Sequence, residues 1–239
     1  MLNKMNRKNL AASALVVLWG AAASAATVPY TEQFVGFNAN WEDNVNNPAA
    51  WVPAGGADGG SYITTQFNFN GYVNPFGGGP VTHRASAADG ASFGAFIGDW
   101  IADGVGEISA WVRHDAPEDL GFFMRVATPG NFPGAVIEST QTVTAGVWTQ
   151  VTWGIDPFSP SCSPEGGSCL SALQSVGNFQ IGTSAPAGLI DDDVAYNIDL
   201  DIVSINPIPE PGTAILMGLG LAGLASVGGK EKRGRCGIA

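Results

Sequence analysis

The central part of this chain reads as an all-β protein, an antiparallel β-sandwich, on three observations. Several runs alternate apolar and polar residues with the two-residue period of a half-buried strand, and no stretch there sustains a helical apolar period. Glycine and proline, 33 and 15 of the 239 residues, are spread along the chain. Turn signals such as Asp115-Ala116-Pro117 and Thr128-Pro129-Gly130 divide the runs into short segments. Many short strands at this spacing pack as two sheets, and no period suggests internal repeats.

The elements follow in order. Lys4, Arg7 and Lys8 precede an apolar stretch from Leu10 to Ala22. Ala23-Ser24-Ala25 then offers a small-x-small cleavage site, with Ser24-Ala25-Ala26 one residue on as the alternative. Residues 1–26 are therefore expected to be a signal helix removed on export. Glu107 to Arg113 places Ile108, Ala110 and Val112 on one face and Ser109, Trp111 and Arg113 on the other. Leu120 to Val126 places Leu120, Phe122, Met124 and Val126 on one face and Phe123 and Arg125 on the other. Runs at 147–153, 176–181 and 196–205 continue the series, with Trp148 expected in the core. This gives one domain over residues 27–206, long enough for a sizeable core.

The chain closes on Pro209-Glu210-Pro211, an uncharged run from Gly212 to Gly229, and then Lys230, Lys232, Arg233 and Arg235. As a helix the run would be about 27 Å long, close to the ~30 Å of a hydrocarbon core. The basic cluster would hold its end on the cytoplasmic side. A Pro-Glu-Pro turn, an apolar span and a basic end, in that order, resemble the PEP-CTERM sorting signal of Gram-negative bacteria. The resemblance covers residues 207–235. It implies a single hydrophobic helix that anchors the chain transiently, removal by the membrane enzyme exosortase, and a final place at the cell surface or outside the cell.

Charge narrows the partners. Of ten basic residues, seven lie in the two terminal segments, leaving Arg84, Arg113 and Arg125 against 19 carboxylates between residues 27 and 206, a net −16 with no lysine. Nothing would offset phosphate repulsion, so nucleic acid and anionic membrane are excluded as partners. Cation binding is the natural expectation. Cys162 and Cys169, seven positions apart, suit a local disulfide in an oxidising compartment. Zinc is the competing assignment, weakened by the lack of a neighbouring histidine.

Catalytic patterns are scarce. There is no Gly-x-Ser-x-Gly elbow, His-Glu-x-x-His or phosphate loop. His83 and His114 are expected in exposed loops. Asp99 with Asp103, or Glu118 with Asp119, could serve as a glycosidase pair, but they sit in turn-like sequence where solvated carboxylates are expected.

Five segments together resemble the jelly-roll sandwich of galactose-binding-like carbohydrate-binding modules. They are Thr31-Glu32-Gln33-Phe34 leading to Trp41, the glycine-rich Gly55-Gly56 and Gly59-Gly60-Ser61-Tyr62, the run Ile108 to Arg113, Gly146 to Val151, and the closing Tyr196 to Ile205. The resemblance implies a structural calcium tying the first strand to the last. The matching positions are Glu32 and Asp201, with Asp199 two residues earlier on the same face. The run Asp191-Asp192-Asp193 is the competing cluster.

A ligand face follows if the runs at 107–113 and 120–126 are neighbours. Trp111, Arg113, Phe123 and Arg125 would then line one sheet face, with Gln180 adding a polar contact. Aromatic planes stack on sugar rings and arginine donates fixed hydrogen bonds to hydroxyls. The alternative puts Trp111 in a second core layer and pairs the arginines with carboxylates. The reading is an exported surface or exopolysaccharide-matrix protein with a non-catalytic, carbohydrate-binding or adhesive sandwich. A secreted glycan-active enzyme and a matrix protein with no specific ligand are its rivals.

Overall fold

The computed structural model describes residues 25–70, 80–190 and 192–208. The expected signal helix, the Pro209-Glu210-Pro211 motif and the expected C-terminal helix lie outside the described residues. Among the described residues no helix is long and apolar enough to cross a membrane.

The domain is a jelly-roll β-sandwich. Its strands are β1 (Tyr30–Glu32), β2 (Ala50–Val52), β3 (Tyr62–Asn68), β4 (Val81–Ser86), β5 (Val105–His114), β6 (Leu120–Ala127), β7 (Gly134–Val143), β8 (Thr149–Gly154), β9 (Cys162–Glu165), β10 (Asn178–Thr183) and β11 (Ala195–Pro207). Among the described residues one α-helix, α1 (Cys169–Leu173), interrupts them. The first sheet runs β2-β3-β11-β5-β8, with β1 added along β11. The second runs β4-β10-β6-β7-β9. Among the described residues the paired strands of both sheets run antiparallel.

Alternation explains how the sheets meet. Ile108, Ala110 and Val112 of β5 and Leu120, Phe122, Met124 and Val126 of β6 all enter the shared core. Trp41, Trp100 and Trp153 fill its centre with Phe34, Phe69, Phe96 and Phe179. Trp41 meets Phe34, Phe96 and Phe179 edge to face at 5.7–5.8 Å, the arrangement the ring quadrupoles favour.

Three expectations are overturned. His83 and His114 are not loop residues: both sit on strands, at 0% and 1% exposure. Trp148 is not in the core; it stands half-buried just before β8. The strands β5 and β6 are consecutive but not neighbours, because the segment between them crosses from the first sheet to the second.

Cys162, at the start of β9, and Cys169, at the start of α1, are joined by a disulfide. Ser168 caps α1: its hydroxyl accepts from the Ser171 amide, while Ser171 Oγ accepts from the Ser168 amide.

Candidate functional site

The outer face of the first sheet carries the most distinctive cluster. On β5, Arg113 points outward because Val112 and His114 on either side point in. Its register partner across β11 is Asp199. The guanidinium takes that carboxylate with two nitrogens, Nε at 2.8 Å and Nη2 at 2.7 Å, both onto Oδ2. Two rings flank the same guanidinium. Its carbon lies 4.6 Å from the Trp148 ring centroid and 5.1 Å from that of Tyr62. The rings meet each other edge-on at 5.4 Å. Trp148 is held in place by its indole N–H, which donates to the Gly55 carbonyl at 3.0 Å.

Of these groups, Arg113, Asp199 and Tyr62 border an open cleft of about 450 Å³, and Trp148 packs against Arg113 and Tyr62 beside it. Its wall includes Tyr62 and Thr64 of β3, Asn197 and Asp199 of β11, Arg113, and Asp115 just past β5. Asp115 accepts from the Asn197 amide at 2.8 Å and from its side-chain nitrogen at 2.6 Å. The cleft therefore combines aromatic surface with fixed donors and acceptors, at a site where ring and guanidinium positions are set by one another. Trp111 lies on the same outer face, half-buried, between Asp201 on β11 and Gln150 on β8.

Phe123 and Arg125 do not join this cluster. They lie on β6, in the other sheet. Phe123 is 2% exposed, and its ring packs over Gly182, where a Cβ would stand 2.2 Å from it. Arg125 sits in a cross-strand row with Arg84 and Gln180. It pairs with Glu165 at 2.7 Å and donates to Gln180 at 2.8 Å and to Asn131 at 2.9 Å. Gln180, 2% exposed, also donates to Asn131 at 3.1 Å. This second network satisfies its own members and holds the hairpin loop at Asn131 against the sheet. Two of the three arginines are thus paired with carboxylates, Arg113 inside the cleft and Arg125 away from it.

The expected metal residues divide. Asp199 is engaged with Arg113, and among the described residues no three of His, Cys, Asp and Glu gather as a metal site. Glu32, 8% exposed, accepts from the Phe34 amide at 2.9 Å and the Tyr30 hydroxyl at 2.9 Å. Burial, and then that bond, push the Tyr30 phenol up to about 12. Asp201 is 1% exposed and accepts from the Ala57 and Ile202 amides, each at 2.8 Å. Burial holds its carboxyl above the usual range, against the pull of those two donors. Ile202, the next residue, sits at a register shift in β11 with φ +45°, a strained value for a β-branched side chain.

The loop opposite Asp201 explains its glycines. A Cβ on Gly56 would stand 2.4 Å from Asp201 Oδ2, 3.0 Å from the Gly60 carbonyl oxygen and 3.2 Å from that of Ser61. Only glycine leaves room for three oxygens to converge there. Ser61 donates its hydroxyl to the Phe34 carbonyl at 2.9 Å, which links this loop to the Glu32 segment. The Gly60 carbonyl itself accepts from the Gly56 amide at 2.9 Å, and among the described residues no salt bridge reaches Asp201. Carboxylate and carbonyl oxygens are the ligands a hard cation takes. Asp192 and Asp193 of the competing cluster bind protein donors instead, Tyr196 with Val194 and Asn70 respectively, and Asp191 lies outside the described residues.

Sequence reasoning missed Tyr62, Trp148, Thr64, Asn197 and Asp115 as site residues. The only signal for Trp148 was its position one residue before a strand, where no alternation fixes its direction.

Comparisons with known proteins bear on the two halves of the chain separately. Residues 207–233 match the PEP-CTERM protein-sorting motif. The chain is therefore an exported protein, sorted to the cell surface, that carries a jelly-roll domain ahead of its sorting motif. No curated protein matches it. Among solved structures it is similar to the CBM22-1–GH10 modules of the N-terminal endo-1,4-β-D-xylanase 10B of Clostridium thermocellum, complexed with xylohexaose, at 15% identity and TM-score 0.46. That match covers 75% of this chain and 28% of the xylanase chain. It is also similar to the CBM22-1 xylan-binding domain of a Paenibacillus barcinonensis protein, at 11% identity and TM-score 0.45, over 79% of this chain and 100% of that one.

Proposed function

We propose that this protein is released from its sorting segment by exosortase and acts at the cell surface or in an exopolysaccharide matrix as a non-catalytic glycan-binding module. The observation that carries the reading is Arg113, clasped between the Tyr62 and Trp148 rings and the Asp199 carboxylate on the wall of an open cleft. Ring faces suit the C–H face of a sugar, and a guanidinium beside carboxylates and an amide suits adjacent hydroxyls. The net −16 of the domain favours a neutral glycan over a uronic-acid polymer.

Binding fits the cleft better than hydrolysis. A glycosidase needs two carboxyl groups flanking the bond, one free to deliver a proton. Asp199 is tied to Arg113 and Asp115 to Asn197. A structural calcium, held by Glu32 and Asp201 with carbonyls of the 55–61 loop, would supply the countercharge that buried Asp201 lacks. The processed domain on an array of neutral and acidic glycans tests the whole reading. It should retain neutral glycans and release no reducing ends. Retention of uronic-acid polymers alone, or progressive release of reducing ends, contradicts it.

A further inference from the structure

The two ends of the described chain meet at one short segment. Ala26 donates its main-chain N–H to Asp103 Oδ2 at 2.7 Å, and Thr27 donates to the Ala95 carbonyl at 2.9 Å. At the other end, Pro207 pairs with Val105 and Ile208 donates to the Gly104 carbonyl at 2.8 Å. The turn Asp103–Val105 therefore receives both the first and the last residues of the domain.

Burial begins abruptly at the N-terminal end. Ala25 is exposed, whereas Ala26 is half-buried and packs against the core. The sequence offers two cleavage sites, after Ala25 and after Ala26. Cutting after Ala26 would remove the residue that fills this position and leave Asp103 without its donor. Cutting after Ala25 would leave every contact in place. Only the chemistry of one nitrogen would change, from an amide N–H to an ammonium.

We propose that the leader is cut between Ala25 and Ala26, and that the freed α-ammonium of Ala26 is captured by Asp103 as an ion pair. Water is the co-reactant: the peptide bond breaks, Ala25 keeps a carboxylate on the departing leader, and Ala26 takes up the proton as an ammonium. The nitrogen already lies within hydrogen-bond distance of the carboxylate, so capture needs no rearrangement, and a charged donor strengthens the bond. Export processing thus adds an ion pair to a domain whose acidic groups far outnumber its basic ones.

Leader and sorting motif both join the fold at the Asp103–Val105 edge. The candidate cleft lies at the other end of β5, since Arg113 is eight residues beyond Val105, roughly 26 Å at about 3.3 Å per residue. Both segments thus leave the fold at the edge remote from the cleft.

The test exploits composition. Residues 26–208 contain no lysine, so the α-amine is the one primary amine of that segment. The protein is purified from the surface of an exporting host and its N-terminal peptide identified by mass. It is then labelled with an amine-reactive ester, followed on that peptide alone. The mature chain should begin at Ala26, and native wild type should label at least about threefold more slowly than Asp103→Asn, because a carboxylate keeps the amine protonated and unreactive. Asparagine keeps the accepting oxygen and removes only the charge, so the variant should still fold. Both should label equally in concentrated urea. A chain beginning at Thr27, a retained leader, or equal native rates would overturn the proposal. If Asp103→Asn does not fold, wild type labelling as fast natively as in urea would overturn it equally.

Discussion

Replacing His83 with leucine should flatten the protein's loss of stability in acid. The ring is fully buried on β4, with Nδ1 3.2 Å from Thr82 Oγ1 and no hydrogen-bond partner for Nε2. Burial pushes its pKa from 6.5 down to about 3. The folded protein therefore holds it neutral, while the unfolded chain protonates it below pH 6.5. The stability this contributes is complete above pH 6.5 and is lost as pH falls towards 3. At pH 4.5, two units below the unfolded value, the loss is on the order of 3 kcal/mol at ~1.36 kcal/mol per unit. Glu42, Glu138 and Asp201, whose carboxyls burial raises, act in the opposite direction. For that reason the quantity to read is the difference between wild type and His83→Leu. Urea unfolding of both proteins at pH 7.5 and 4.5 should show that difference moving by roughly 3 kcal/mol in favour of the variant at the lower pH. Parallel pH curves for the two proteins would refute the reasoning.

Three further outcomes are expected. Millimolar calcium should raise the melting temperature over chelator, by about 2.7 kcal/mol of stability at a hundredfold excess over Kd, and Asp201→Asn should abolish the gain; an equal gain in both proteins would place the ion elsewhere. Cys162 and Cys169 should resist thiol labelling in the exported, unreduced protein, and Cys162→Ser with Cys169→Ser should lower stability by roughly 2–3 kcal/mol, the scale for a short loop; quantitative labelling of both would contradict the bridge. Intact mass of the surface form should end near Pro209, and a mature chain retaining Arg235 would exclude removal of the tail.

The strands that were legible in the sequence are those with one wet face. In β5, Ile108, Ala110 and Val112 go inward as their period requires, while Trp111 and Arg113 stay partly exposed and Ser109 is covered. β4 is buried at four of six positions and shows no period to read; β10, read from the run at 176–181, is buried at all six, so its polar Asn178 and Gln180 mark no wet face. The ligand face failed on connectivity rather than on pattern. Consecutive strands are neighbours more often than not, but the connection from β5 to β6 changes sheets and carries Phe123 and Arg125 away from Arg113. Trp148, just before β8, and Tyr62, on β3, meet Arg113 from segments far apart in sequence, a contact that no local spacing reveals. The histidines misled because a polar residue type was taken as a wet one; a neutral imidazole tolerates the core.

The cleft itself is best tested by titrating a neutral oligosaccharide retained on the array into wild type, Trp148→Ala and Gln180→Ala, the last lying in the polar network of the opposite sheet. Calorimetry should show Trp148→Ala weakened at least tenfold, about 1.4 kcal/mol, with Gln180→Ala unchanged. Full affinity in Trp148→Ala together with a loss in Gln180→Ala would move the binding face to the second sheet and contradict the account.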